Sequence, residues 1–515
     1  MFKRNIVISV LVLSAAPGYP YQNDANLQYK RPSEPLPDDP ERASKVIDAF
    51  KLSWEGYYKY AFPNDELHPV SNSSSNSRNA WGASAVDALS TALIMNDSVI
   101  ANQILAYIPT IDFTKTETPV SLFETTIRYL GGMLSAYDLL TGPVAYIPAK
   151  KEYVTALITQ STSLGNALSY AFDTPSGVPY NTLFFANRTV EDSPNGLATV
   201  GTLILEWTRL ADLTGIKTYA ALANRAETYL LNPHPASSSP FPGLLGRNIN
   251  VTTGEFLDAV GGWTGGSDSY YEYLLKMYIY DPDRFSLLRD RYILAADSTI
   301  AHLSSHPASR PELTFLAQYD GTHLTLKSEH LAGFAGGNFI LAGQVLGRTD
   351  YVKYGLALVD AWHETYNRTL TGIGPEEFGW DANQVPEDQV DFFNRSGFYI
   401  TNAQYNLRPE VIESYFYAFR ATGDRKYQDW AWDAFVAINA TTQVGSGYSS
   451  IRDVNAEKGG GYGDFQESFW FAEVCKYAYM IFGPQDSSEG GVNVGRGGRD
   501  TWVFNTEAHP VRVWG

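Results

Sequence analysis

Cysteine is almost missing: Cys475 is the single one in 515 residues. No intrachain disulfide can form, so stability has to come from a buried core, which a chain of this length can build. Long apolar runs are missing too. Past the N-terminal segment, nothing reaches the roughly 20 residues a membrane-spanning helix needs. The net charge of −18 is spread without acidic blocks. A chain of that sign repels a phosphate backbone, which argues against nucleic acid as a partner. Eight scattered histidines and one cysteine leave little to build a zinc site from. G-x-S-x-G elbows, HExxH pairs, Walker loops and Rossmann fingerprints are absent as well. Alternating strand patterns are confined to short pieces near 248–264, 398–408 and the C-terminal VFNTEAHPVRVW.

Aromatic residues, by contrast, are abundant: 11 Trp, 34 Tyr and 26 Phe. They fill cores and also make stacking platforms for sugar rings. The start MFKRNIVISVLVLSAAPGYPY has Lys3 and Arg4, a short apolar stretch from Ile6 to Leu13, and small residues before Pro17. It reads as a secretion signal over 1–18, with an uncleaved anchor as the alternative. A Pro-rich arm over 19–39 and one domain over 40–515 are expected to follow. Seven Asn-x-Ser/Thr sequons, at Asn72, Asn96, Asn187, Asn250, Asn367, Asn394 and Asn439, fit a secreted or secretory-lumen location.

One design recurs along the chain. In LSAYDLLTGPVAYIPAKKEYVTALI, EWTRLADLTGIKTYAALANRAETYL, LKMYIYDPDRFSLLRDRYILAA, AGQVLGRTDYVKYGLALVDAW and YAFRATGDRKYQDWAWDAF, a helical apolar period stops at a Gly or Asp turn and a second amphipathic helix begins. The markers Gly142, Gly215, Asp281, Gly347 and Gly423 lie 66 to 76 residues apart. That length suits a helical hairpin plus a long return loop. Long, irregular loops such as 232–264 and 367–407 favour a closed α/α toroid, with its site on one face, over an open solenoid.

Four stretches place acids where such a toroid would line its cavity. In SLFETTIRYLGGMLSAYDLL, Glu124 and Arg128 share a helix face, ahead of Gly131-Gly132. The bland account is a surface ion pair; the apolar neighbours Phe123, Ile127 and Leu130 point to a buried one. GGWTGGSDSYYEYLLK sets Asp268 at a helix start, with Glu272 a turn later, and an Asp there is most often a cap. YNLRPEVIESYFYAFRATGD puts Glu410 and Glu413 in a first turn, where the helix dipole alone would favour them. FQESFWFAEVCKYAYMIF embeds Glu467 and Glu473 in an aromatic helix. Each is unremarkable singly; together they suggest paired carboxylates in a sugar-sized cavity, the equipment of glycoside hydrolysis. Acids without matching bases also invite a hard cation with oxygen ligands.

These stretches, together with WEGYYKYAFPNDELHPVS, GASAVDALSTALIM and FNTEAHP, occur in one order from about residue 40 to the C-terminus. In that order they resemble glycoside hydrolase family 47, the class I α-1,2-mannosidases, and most of all its secreted fungal branch. The resemblance implies an all-α (α/α)7 barrel plugged by a C-terminal β-hairpin. The five marked hairpins would be completed by helices within 40–107 and 465–482. It also implies inverting, Ca2+-dependent removal of terminal α-1,2-mannose from high-mannose N-glycans by a monomer that binds no membrane once its signal is cleaved. The alternatives are a lectin-like relative with little activity, and a glucan-acting toroid. Glu124 is implied as the general acid acting through a water, with Glu410 and Asp268 sharing the remaining essential roles, the base among them. Acid and base carboxyls would stand about 6.5–9.5 Å apart, leaving room for water. Arg128 would hold Glu124 and the substrate, and His330 would stand at the cavity as a substrate-binding residue. Glu413, Glu467 and Glu507 would line the sugar pocket and hold the calcium's waters, and Thr506 would ligate the metal directly.

Two departures from the family stand out. The positions of a disulfide usual in fungal relatives read Gly333 and Trp362, which leaves Cys475 as a core thiol. Where enzymes of the endoplasmic-reticulum type carry an arginine two residues before the essential Asp, this chain has Gly266. A mouth without that side chain is expected to admit several branches. A time course on a full high-mannose N-glycan should therefore show successive loss of several α-1,2-mannoses; a stall after the first would refute this reading.

Overall fold

Turn chemistry sets the helix ends. In the computed structural model, which describes residues 36–485 and 501–514, Gly215, Gly347 and Gly423 close their helices with left-handed backbone, at φ of 74°, 68° and 71°. A Cβ would strain that conformation. Asp281 works differently. Its backbone is extended, and its carboxylate accepts the N–H groups of Asp283 and Arg284, both at 3.1 Å. Helix starts follow the same local logic: Asp39, Asp97 and Asp424 each accept N–H groups of the first turn that follows.

Fourteen helices make the barrel. They are α1 (Pro40–Tyr60), α2 (Ala83–Ile94), α3 (Ser98–Tyr107), α4 (122–140), α5 (Lys151–Leu168), α6 (Ile204–Thr214) and α7 (Thr218–Leu231). The second half comprises α8 (Asp268–Tyr280), α9 (Ser286–His302), α10 (Ala335–Leu346), α11 (Thr349–Asn367), α12 (Glu410–Thr422), α13 (Arg425–Thr442) and α14 (470–482). The even-numbered helices form an inner ring in which each packs on the next and α14 returns to α2. Burial separates the layers. Every residue from Ala83 to Leu93 of α2 is buried, whereas α3 buries one stripe of Ile100, Ala101, Ile104 and Leu105.

Six inner helices pair with the outer helix that follows them, and the five marked hairpins are among these six. The other two hairpins come from the helices expected to complete the ring, within 40–107 and 465–482: α2 pairs with α3, and α14 pairs with α1, from the opposite end of the chain. Ring closure thus joins the two ends of the helical domain. Cys475, on α14, is fully buried, and burial pushes its thiol up. The return loops also carry more sheet than expected. One three-stranded antiparallel sheet joins Lys327–Glu329, Glu377–Gly379 and Tyr399–Asn402, and another joins Val120–Ser121, Thr182–Phe184 and Thr189–Val190. Strands of two to four residues are too short to show an alternating pattern.

The chain end fills the axis. Trp502–Phe504 and Pro510–Arg512 pair antiparallel, with Val503, Phe504 and Val511 fully buried. Near its base, Arg512 N–H bonds Asp138 in the last turns of α4, and Trp514 N–H bonds the carbonyl of Tyr280 at the end of α8. Its turn, 505–509, lies farther up beside Ile127, Tyr273 and Lys476. The hairpin therefore enters from the C-terminal ends of the inner helices and points at their N-terminal ends.

Among the described residues no helix is long and apolar enough to cross a membrane. The expected signal, and the arm up to residue 35, lie outside the described residues. Asn72, Asn96, Asn187, Asn367 and Asn394 are exposed, while Asn250 and Asn439 are half-buried. Gly131 lets the hairpin turn approach α4, since a Cβ there would stand 2.5 Å from Asn505 Nδ2. Gly131→Val should destabilise the fold by about 1–3 kcal/mol through overpacking. Chemical denaturation checks this, and a midpoint equal to that of the parent chain would refute the close approach.

Candidate active site

Because every inner helix runs the same way, the inner N-termini gather at one end, where the axis opens into a cavity of about 270 Å³. Glu124 is the third residue of α4, Asp268 the first of α8, and Glu410 and Glu413 the first and fourth of α12. First-turn positions suit carboxylates, since unpaired N–H groups and the helix dipole face them. Two inner helices loosen into a π turn at the cavity: Thr126–Leu130, which carries Arg128, and Trp470–Val474, which carries Glu473.

The expected residues Glu124, Arg128, Asp268, Glu410, Glu413, Thr506 and Glu507 all line this cavity. His330 does not. It sits fully buried behind Glu410, with Nδ1 2.7 Å from Glu410 Oε2 and Nε2 2.8 Å from the Tyr366 hydroxyl. Glu467 is not among the lining residues either, although its charge reaches Arg128 and Arg408. Sequence reading missed Arg408, Phe469 and Arg78 as site residues, and it counted Glu272 and Glu473 among the cavity acids without giving either a role; both line the cavity. Arg128 and Arg408 lie over the Phe469 ring, 5.7 and 5.6 Å from its centroid. Arg78 reaches Glu124 at 3.3 Å from a loop held by Asp65, whose carboxylate accepts the N–H groups of Arg78, Ala80, Trp81, Gly82 and Ala83. No short-range pattern signals that placement, because Asp65 acts on backbone groups 13 to 18 residues on and Arg78 meets Glu124 from a separate segment.

Arg128 is the buried hub of the site. Its Nε donates to Glu124 Oε2 at 2.8 Å, its Nη1 donates to Ser468 at 3.2 Å, and it pairs with Glu507 and Asp87. The Glu124–Arg128 spacing is thus no surface pair. The charges then sort the carboxyls. Burial works to raise Glu124, but Arg128 and Arg78 outweigh it and hold the group below its ordinary range. Glu410 is likewise lowered, as the hydrogen bond from His330 and the charge of Arg408 overcome its burial. Asp268 goes the other way: burial, reinforced by Glu329 and Glu272, pushes it up to about 7. Glu413 rises to about 8 through burial and the nearby Glu272, against the pull of Lys276. Near neutral pH the cavity therefore holds ionised and protonated carboxyls side by side.

The positions of the missing disulfide are filled by packing. Trp362 packs on the rings of His330 and Phe378, 5.9 and 5.2 Å between centroids, and Gly333 gives Glu410 and Val411 room. At Gly266, φ is +87° and the side chain of Arg247 lies alongside.

The family model described as Glycosyl hydrolase family 47 matches residues 49–513. A protein of Aspergillus clavatus named probable mannosyl-oligosaccharide alpha-1,2-mannosidase 1B is 60% identical over 474 residues, 92% of this chain and 93% of that protein. The mannosyl-oligosaccharide alpha-1,2-mannosidase 1B of Aspergillus phoenicis is 57% identical, over 92% of this chain and 91% of its own. Among solved structures, the alpha-1,2-mannosidase from Trichoderma reesei superposes with a TM-score of 0.91 at 48% identity, covering 93% of this chain and 100% of that one. With the match spanning nearly the whole barrel and its axial hairpin, the chain belongs to glycosyl hydrolase family 47.

Proposed function

We propose that this chain removes terminal α-1,2-linked mannose from high-mannose oligosaccharides by inverting, calcium-dependent hydrolysis. The observation that carries the reading is the convergence of Glu124, Asp268 and Glu410 with Thr506 on one cavity, where burial raises Asp268 while His330 and Arg408 lower Glu410. The names of close relatives supply the linkage and the sugar.

In this mechanism Asp268 gives its proton to the glycosidic oxygen as the bond from C1 to that oxygen breaks. Glu410, ionised and oriented by His330, takes a proton from the water that attacks C1 on the opposite face. The resemblance assigns the donor's role to Glu124. Held ionised by two arginines, Glu124 is better suited to stabilise the positive charge that develops on the sugar ring. Phe469, Leu331 and Phe334 supply apolar surface for the ring, and Arg408 a donor for its hydroxyls.

The residues present fit a hard cation at the turn. Thr506 lines the cavity, and within the described residues neither its hydroxyl nor its carbonyl oxygen takes a hydrogen bond. Among the described residues no three His, Cys, Asp or Glu side chains converge as direct ligands. Thr506 would therefore hold the ion, and the crowded Glu272, Glu413, Glu473 and Glu507 would hold its waters. Bound calcium would supply a template for sugar hydroxyls and polarise water.

Hydrolysis of α-1,2-mannobiose, followed by proton NMR with and without a chelator, tests the proposal. β-Mannose should appear first, and chelation should abolish turnover. The kcat/KM should fall as pH rises through about 7, where Asp268 loses its proton, and fall again below the ordinary glutamate range, where Glu410 gains one. Initial α-mannose, chelator-resistant turnover, or activity still rising past neutrality would each defeat its part of the scheme. No turnover under any condition would leave a glycan-binding protein.

A further inference from the structure

Helix α8 carries more than the cavity acids. Beyond Asp268 and Glu272, its next residues turn toward the axial hairpin. The Tyr273 hydroxyl accepts the N–H of Thr506 at 3.1 Å and donates to Glu206 Oε1 at 2.7 Å. That same oxygen accepts Asn505 Nδ2 at 2.8 Å, and Nδ2 also donates to the Ile127 carbonyl at 2.9 Å. Lys276, ion-paired with Glu272, donates to the carbonyl of Asn505 at 3.3 Å. The peptide between Asn505 and Thr506 is thus gripped on both edges from one helix, its C=O by Lys276 and its N–H by Tyr273.

The next peptide, which carries the Thr506 carbonyl, is held as well, since the Glu507 N–H donates to Asn505 Oδ1 at 3.0 Å, so Thr506 is bracketed on both sides. The grip is rigid because it is sealed: Glu206 is fully buried, and Tyr273 and Lys276 are each 1% exposed. No member touches the cavity except through Thr506 or Glu272. Their spacing along α8 ties Thr506 to Asp268, so the distance from the turn to the reacting carboxyl is set by helical rise and not by the hairpin's own packing.

We infer that Tyr273, braced by Glu206 on α6, is a positioning residue that aims the two free oxygens of Thr506 at a bound cation and holds them in register with Asp268. The inference rests on the calcium reading above and adds the residues that make Thr506 a competent ligand. Outer-shell partners of this kind typically contribute about 10- to 100-fold in metal affinity.

Tyr273→Phe removes the hydroxyl and keeps the buried ring. Calcium titration by calorimetry on the full chain should show its dissociation constant rise by about 10-fold or more, and hydrogen exchange of the 504–508 amides should accelerate. Glu206→Gln keeps an acceptor oxygen for Tyr273 and Asn505 and should stay near the parent values. Tyr271→Phe is the control for loss of a buried hydroxyl on the same helix, since that hydroxyl meets Leu245 N and the Tyr319 hydroxyl instead of the hairpin. It should leave calcium binding unchanged. Parent-like calcium affinity and exchange in folded Tyr273→Phe would overturn the inference while leaving the calcium reading standing. An equal loss in Tyr271→Phe would overturn it too, by tracing the effect to general destabilisation. A parent chain that binds no calcium would overturn the calcium reading itself, and the inference with it.

Discussion

Seven inner helices around an axis cannot touch one another across it, and the rest of this structure depends on how that hollow is filled. One end is filled by the C-terminal hairpin, whose turn carries backbone groups that burial would otherwise leave unpaired. They are met partly by the surrounding helices and partly by the turn itself. Lys276 and Lys476 take the carbonyls of Asn505 and Ala508, and Tyr273 takes the N–H of Thr506. The Asn505 side chain accepts the N–H groups of Glu507 and His509. His509 reaches Ser90 and Asp87 on α2, and Glu507 meets Arg128 on α4. With Glu206 on α6 accepting Asn505 Nδ2, five inner helices share the one turn that forms the cavity floor.

That arrangement explains the electrostatics above the floor. A cavity lined by first-turn carboxylates is stabilised by helix dipoles but crowded by like charges. Among the described residues, arginines reach these carboxyls at two points. Arg128 and Arg78 keep Glu124 ionised, and Arg408, with His330, does so for Glu410. Asp268 and Glu413 lack an equal partner and hold protons longer. In the proposed mechanism, the division of labour between proton donor and proton acceptor rests on which helix start has a cation beside it. Behind the wall, Glu206 is pushed up to about 8 by burial, so it braces Tyr273 and Asn505 without adding another charge to the core.

Much of this was legible in the order of residues. Gly215, Gly347 and Gly423 stop helices through local backbone preference, and the 3.6-residue apolar period marks what lies on either side; both signals need only a few neighbouring residues. The acids at helix starts were legible for the same reason, although a helix start alone does not separate a cap from a catalyst. The strands of the loops were not legible, since two or three residues carry no period. Arg78 and the buried Glu206 escaped as site or bracing residues because their partners lie far away in the chain; Arg408 escaped although Glu410 is close by, because Glu376 and Phe469, which hold its side chain, come from other segments. His330 was expected at the cavity surface and stands one layer behind it, a distinction that depends on where Glu410 places its carboxylate.

The sequence by itself determined the helical hairpins, the spacing that closes them into a toroid, and the acidic and aromatic stock of the cavity, because turn chemistry, periodicity and composition are local. Only the tertiary structure decided that α1 closes the ring against α14, that His330 stands behind Glu410, and which carboxyl is raised and which lowered. Those outcomes depend on burial and on charges a few ångströms apart in space but hundreds of residues apart in the chain, as with Arg128 and Glu507.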